Sequence, residues 1–159
     1  MKQALYPGTF DPITLGHLDI IKRAQKIFDN VVVAVVKKPS KKPLFAYSKR
    51  VSLVRQATAS LKNVVVEGFD GLIVDFAREK KINVILRGLR LLTDFEYEFQ
   101  MALTNRKLDP RIETIFLMPH PQYFYVSSRL LKEAARFGAD LKQLMPEVSL
   151  KALREKLRV

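Results

Sequence analysis

The chain contains no cysteine and no tryptophan, and only two of its 159 residues are histidine. Without thiols there is no structural disulfide and no thiolate ligand or nucleophile, and two histidines alone make a poor basis for a preformed zinc centre. Long apolar runs are missing as well. No uninterrupted stretch approaches the ~20 residues that span a bilayer, and the opening MKQALYPGTF has no apolar signal core. These absences lead to the expectation of a soluble protein in a reducing cytoplasm, with no membrane partner.

Acidic residues are scarce. There are 16 Asp and Glu against 28 Lys and Arg, a formal charge of +12, and residues 1–50 hold ten basic residues against three Asp. Such an excess fits a solvated basic surface, a nucleic-acid footprint, or a cleft whose positive potential gathers phosphates. The distribution favours the cleft, because Arg87, Arg90, Arg106 and Arg129 stand beside turn or cap signals and not in one tract. RNA-recognition and zinc-finger signatures are absent and the aromatics form no stacking platform, so no nucleic-acid partner is expected. The chain also lacks the G-x-x-x-x-G-K-[ST] phosphate loop, the G-x-G-x-x-G dinucleotide fingerprint, the G-x-S-x-G nucleophile elbow, the kinase motifs and the H-E-x-x-H metal motif.

What is present alternates between short β-rich runs and longer amphipathic ones. That pattern predicts an α/β fold, a Rossmann-like open parallel sheet with flanking helices, in one domain over 1–159. Strands are expected at 3–6, 31–36, 64–66, 82–87 and 114–118. Helices are expected at 17–28, 48–61, 72–80, from Asp94 to before Asp109, at 128–137 and through the tail from Pro146. The first helix should turn Leu18, Ile20, Ile21, Ala24, Ile27 and Phe28 inward. Ser48 and Ser127 or Ser128 read as N-caps, Thr93 with Glu96 as a capping box, GFDG at 68–71 as a turn and Gly138 as a helix stop.

Four connections are richer than a turn requires, and all follow strands, where open parallel sheets bind ligands. YPGTFDPITLGH at 6–17 puts Gly8, Thr9, Gly16 and His17 between a strand and a helix start, whose amides suit phosphate oxygens. Thr14 could equally cap that helix in a merely tight loop. RGLR at 87–90 supplies two permanent, planar cations around Gly88, with Glu98 following on a helix either solvated or paired to one of them. Lys41 and Lys42 sit in the basic loop KKPSKKP, and Ser127 and Ser128 in the polar loop after the last strand; His120 has no such company and reads as a loop histidine.

Together YPGTFDPITLGH, PSKKPLF, NVVVEGFDGLIVDFA, RGLRLLTDFEYEFQMALTNRKL, ETIFLMP and YVSSRLLKE resemble the phosphopantetheine adenylyltransferase family over nearly the whole chain. The T-x-G-H element at Thr14–His17 marks only the broader nucleotidyltransferases. RGLR followed by DFEYE is far more specific. The resemblance implies adenylyl transfer from ATP to 4′-phosphopantetheine, giving dephospho-coenzyme A and pyrophosphate, with a phosphorylated acceptor such as nicotinamide mononucleotide as the alternative. It assigns catalysis to His17, Thr9, Lys41 and Arg90. It assigns the acceptor to Thr9, Lys41, Arg87 and the Ile73 region, and the nucleotide to Thr9, Phe10, His17, Gly88, Leu89, Arg90 and Glu98 with the loop Tyr123, Phe124, Tyr125, Val126, Ser127, Ser128 and Arg129. It also implies Mg2+ carried by the polyphosphate with no protein metal ligands, feedback by coenzyme A, and a homohexamer. Arg129 departs from the family's usual Ser or Thr, so that it would either reach phosphate or face a partner subunit.

Overall fold

The computed structural model describes residues 1–158, apart from the side chains of Leu92 and Thr93. Its strands are β1 (Gln3–Gly8), β2 (Asn30–Val36), β3 (Val64–Phe69), β4 (Val84–Gly88) and β5 (Glu113–Leu117). Its α-helices are α1 (Leu15–Ala24), α2 (Tyr47–Thr58), α3 (Ile73–Lys80), α4 (Leu92–Leu108), α5 (Ser128–Arg136) and α6 (Glu147–Leu157), with a 3-10 turn at Pro121–Tyr123. All strand pairs are parallel, in the order β3-β2-β1-β4-β5. The expected parallel α/β sheet is therefore the one observed.

Strand periodicity explains the two cores. Ala4 and Tyr6 of β1, Val31, Val33 and Val35 of β2, and Leu86 of β4 point to one face, where α1, α2, α5 and α6 contribute Ile21, Val54, Leu131 and Leu153. The alternate residues Leu5, Val32, Ala34 and Ile85 point to the other, against Val74, Phe76 and Ala77 of α3. Both faces of the central strands are thus dry, which is why VVVAVV reads as an unbroken apolar run.

The sheet order reverses direction between β1 and β4. Pro7 lies in the middle of the sheet, paired in register with Ala34 of β2, yet proline has no N–H to give the neighbour on its other side. Pairing between β1 and β4 runs through Leu5↔Ile85, and beyond it the Arg87 side chain takes over, donating to the Pro7 carbonyl at 2.9 Å. The strands part there, and the cleft described below opens between them.

Several boundaries differ from expectation. β1 runs on to Gly8, and β3 includes Gly68 and Phe69, so the turn is Asp70–Gly71 alone. Helix α1 starts at Leu15 and ends at Ala24; the chain then tightens into short turns, which carries Ile27 out of the helical phase and leaves it 53% exposed. Helix α2 is preceded by Ala46 without a side-chain cap, so Ser48 lies inside the first turn and caps nothing. Helix α4 begins at Leu92 after Leu91; the capping box assigned to Thr93 and Glu96 involves a side chain outside the described ones. Ser127 does cap α5, accepting from the Leu130 amide at 3.2 Å, and Gly138 takes φ +75 beyond its end.

Tyr47, the first residue of α2, lays its ring over β3 at Gly68, where a Cβ would collide with the phenol oxygen. Gly68→Ala is therefore expected to cost about 1–3 kcal/mol in urea unfolding. The loss should shrink in the Gly68→Ala/Tyr47→Ala double variant relative to the sum of the singles, by about 0.5 kcal/mol or more. Additivity would show that the two residues do not meet.

Candidate active site

At the carboxyl ends of β1 and β4 lies a cleft of about 420 Å³. It is walled by the β1–α1 loop, the basic loop after β2, the end of β4, Glu98 of α4 and the start of α5. This is the switch point at which an open parallel sheet leaves a crevice.

The β1–α1 loop is built around a helix start. Thr14 is the N-cap of α1: its hydroxyl accepts from the His17 amide at 3.3 Å, and its own amide donates to His17 Nδ1 at 3.1 Å. Histidine here replaces the usual Glu or Gln of a reciprocal capping box. Because Nδ1 receives that backbone N–H, the ring proton resides on Nε2, at the opposite edge of a side chain that lines the cleft. Burial, together with the nearby charges of Arg90 and Arg87, depresses the imidazole pKa to about 4. A neutral ring with a directed Nε2–H donor is the result, and the cationic form is excluded at neutral pH. Phe10 packs edge-on against it, with ring centroids 5.2 Å apart. Gly8 makes room for Phe10, since a Cβ would come within 2.8 Å of that ring.

Across the cleft, Arg87 is gripped by a bidentate pair with Glu98 at 2.6 and 2.5 Å, besides its bond to Pro7. Burial opposes its charge, and the hydrogen bonds and charge of Glu98 overcome this to raise its pKa above the ordinary value. Arg90 pairs with Asp94 at 3.1 Å and donates to the Val126 carbonyl at 2.7 Å, tying the end of β4 to the approach to α5. Ser128 sends its hydroxyl to the Pro12 carbonyl at 2.8 Å, which fastens the start of α5 to the β1–α1 loop.

Of the residues singled out from the sequence, the cleft gathers Thr9, Phe10, His17, Lys41, Arg87, Gly88, Arg90, Glu98, Val126, Ser127 and Ser128. Lys42 joins them, and both lysines are exposed on the basic loop. Others stand apart from its lining. Ile73 opens α3 and packs on the second core; Leu89 donates its amide to Leu117; Tyr123, Phe124 and Tyr125 form the 3-10 turn and its exit. Arg129 is exposed in the first turn of α5, outside the cleft wall. His120 caps the 3-10 turn, its Nδ1 accepting from the Gln122 amide at 3.4 Å.

Sequence reasoning missed Asp11, Lys132 and Arg50. Asp11 is buried; it accepts from the Leu44 and Phe45 amides at 2.8 and 2.9 Å and pairs with Lys132 Nζ at 2.5 Å. Arg50 is wholly buried and donates only to backbone carbonyls, those of Thr9, Val36, Lys37 and Phe45. Their partners lie 33 to 121 residues away for Asp11 and up to 41 for Arg50, beyond any local pattern. The one available signal was an arginine among the apolar positions of the α2 stripe.

Comparison with known proteins follows this geometry. A family model described as cytidylyltransferase-like matches residues 5–134. The chain is 52% identical over 156 residues to a protein of Alkaliphilus metalliredigens named phosphopantetheine adenylyltransferase, covering 98% of this chain and 99% of that one. Proteins of the same name from Caldanaerobacter subterraneus and Clostridium botulinum are 49% and 50% identical, each over 99% of this chain and over 99% and 96% of their own lengths. Among solved structures, a candidate nicotinate-nucleotide adenylyltransferase from Vibrio parahaemolyticus superposes with a TM-score of 0.70 over 99% of this chain and 95% of its own. At 22% identity that likeness speaks to the fold alone.

The histidine environment has a pH consequence. Between its ordinary value of 6.5 and about 4, the unfolded chain binds a proton that folded His17 refuses. His17 should therefore subtract stability progressively as pH falls through that window, and contribute no pH dependence above it. Ring 15N NMR should show the Nε2–H tautomer at pH 7 and a midpoint near 4. A midpoint near 6.5, or an Nδ1–H ring, would contradict the capping geometry.

Proposed function

This chain belongs to the phosphopantetheine adenylyltransferases, within the cytidylyltransferase-like family, and from that membership we propose that it moves the adenylyl group of ATP onto 4′-phosphopantetheine. The products are dephospho-coenzyme A and pyrophosphate. The observation that carries the reading is the neutral His17, locked by Thr14 at a helix start and flanked by Arg87 and Arg90, in a cleft open to polyphosphate.

The chemistry asks little of a general base. An oxygen of the acceptor phosphate, already anionic, attacks the α-phosphorus of ATP, and the bond to the pyrophosphate oxygen breaks. Charge develops on the α-phosphoryl oxygens, so catalysis comes from positioning and from donors fixed in advance. His17 Nε2–H and the Thr9 hydroxyl are the donors assigned to that charge. Their rigidity comes from the capping box and from the anchored Thr9 carbonyl, which limits reorganisation during the reaction. Arg87 and Lys41 receive the acceptor phosphate, while Gly88, Arg90, Ser127 and Ser128 receive the nucleotide.

Magnesium is proposed to arrive on the nucleotide. The carboxylates of the cleft fit no metal cage, since Glu98 holds Arg87 and Asp11 holds two amides and Lys132. When bound, the ion would screen the phosphate charges, and the side chains described do the positioning. The ATP-dependent synthesis of a coenzyme precursor supports a cytoplasmic setting. Coenzyme A shares the pantetheine arm of the product, which supports feedback through the same cleft.

A homohexamer is part of the same proposal, supported by α4. That helix buries the polar Glu98 and Asn105, and exposes Phe95, Phe99 and Leu103 on one flank of them and Tyr97 and Met101 on the other. Phe95 and Phe99 stack on one another with ring centroids 5.5 Å apart. Exposed apolar side chains in this number fit a partner subunit far better than water.

The deciding assay is magnesium-dependent pyrophosphate release from ATP with 4′-phosphopantetheine, nicotinamide mononucleotide or no acceptor. Release with phosphopantetheine alone is expected, and release with the nicotinamide nucleotide would reassign the acceptor. His17→Ala should lower kcat roughly a hundredfold, about 3 kcal/mol of transition-state stabilisation, in a chain that still folds. Lys41→Ala should instead raise the KM for phosphopantetheine roughly tenfold with kcat nearly unchanged. Normal turnover in the first variant, or an unmoved KM in the second, would remove the assigned role.

A further inference from the structure

We propose that Arg50 is a positioning residue for the acceptor side of the cleft, binding the backbone at both roots of the basic loop and at Thr9 so that Lys41 and Thr9 keep a fixed separation. The proposal rests on the adenylyl-transfer reading for the identity of the acceptor. Its geometry does not.

Arg50 lies on α2, away from the cleft lining, and is 0% exposed. Its Nη1 donates to the carbonyls of Thr9 at 2.7 Å and Val36 at 2.9 Å, Nη2 to that of Lys37 at 3.2 Å, and Nε to that of Phe45 at 3.3 Å. Val36 and Lys37 begin the basic loop and Phe45 ends it. Asp11 completes the arrangement from the donor side, accepting the Leu44 and Phe45 amides. One buried cation and one buried anion therefore hold the carbonyls and amides at the roots of a loop whose middle, Pro39 to Pro43, forms part of the cleft wall.

Only a guanidinium suits this place. Its donors fan out in a plane and reach carbonyls arriving from three chain segments, whereas a lysine ammonium offers three donors from a single point. An apolar residue of similar length would fill the space and leave four buried or half-buried carbonyls without partners. The other groups of the site are held independently: His17 by Thr14, Arg87 by Glu98, and Arg90 by Asp94 and Val126. Loss of Arg50 should therefore be selective for the loop and Thr9.

Arg50→Lys decides the question, with Arg50→Met as the second variant, both purified as the assembled protein. Pyrophosphate release is measured with each substrate varied against a saturating level of the other. The KM for phosphopantetheine is expected to rise roughly tenfold or more and kcat to fall severalfold through the loosened Thr9, while the KM for ATP stays within about threefold. Brief trypsin treatment gives a readout free of substrate identity: the Lys37–Lys38 and Lys41–Lys42 bonds of the basic loop should be cut roughly tenfold faster than in the unmodified protein while sites outside the loop stay protected. A fall in kcat with both KM values unmoved would signal a smaller folded fraction and overturn the proposal. So would cleavage scattered along the chain, or a Lys41–Lys42 bond no more labile than before. If the unmodified protein fails to use phosphopantetheine, the acceptor reading falls, and the proteolysis still decides whether Arg50 sets the loop.

Discussion

The guanidinium of Arg50 joins segments that no ladder or helix connects. The residues after β1, the end of β2 and the far end of the basic loop all turn carbonyls toward it. A buried arginine without a carboxylate in its hydrogen-bonding shell costs much in desolvation, and its pKa is accordingly lowered by burial, with Asp11 offsetting part of the effect. Such a group persists where its donors find partners, and four of its five N–H groups do. Here their use sets the shape of the cleft, because the loop cannot shift at either root without unpairing a buried group. Tyr47 adds a face to the same cation at 5.8 Å, which links the helix start to β3.

Pro7 imposes the complementary constraint. A proline in a central strand denies its neighbour a hydrogen bond, so β1 and β4 separate and a side chain fills the gap. Arg87 meets that need and in doing so is fixed by Pro7 on one side and Glu98 on the other. A defect in the sheet thus becomes the wall of a cleft and fastens α4 to it.

Charge within the cleft is sorted by partner. The acidic groups Asp11 and Glu98 are committed to protein donors, and their presence lets lysine and arginine side chains stand close together without mutual expulsion. The histidine responds in the opposite way. Half-buried among cations it remains neutral, and the backbone of Thr14 chooses its tautomer. The positive field therefore comes from permanent charges, while the imidazole supplies direction.

Much of this was legible in the residues themselves. Alternating apolar runs determined the parallel sheet, because strands buried on both faces must be apolar throughout, and the loops richest in Gly, Thr, Arg and Ser pointed to the end of it at which the cleft opens. Thr9, His17, Arg87 and Arg90 could be picked out since each sits next to a strand end or helix start, a local feature. Ile27 and Ser48 misled, because a helix end and a cap depend on where the chain is pulled next, which short-range pattern does not encode. The roles of Asp11, Arg50 and Lys132, the neutrality of His17 and the exposure of the apolar residues of α4 were decided by tertiary structure alone. Each depends on burial or on partners brought together from distant parts of the chain, and those are properties of the folded arrangement rather than of any sequence window.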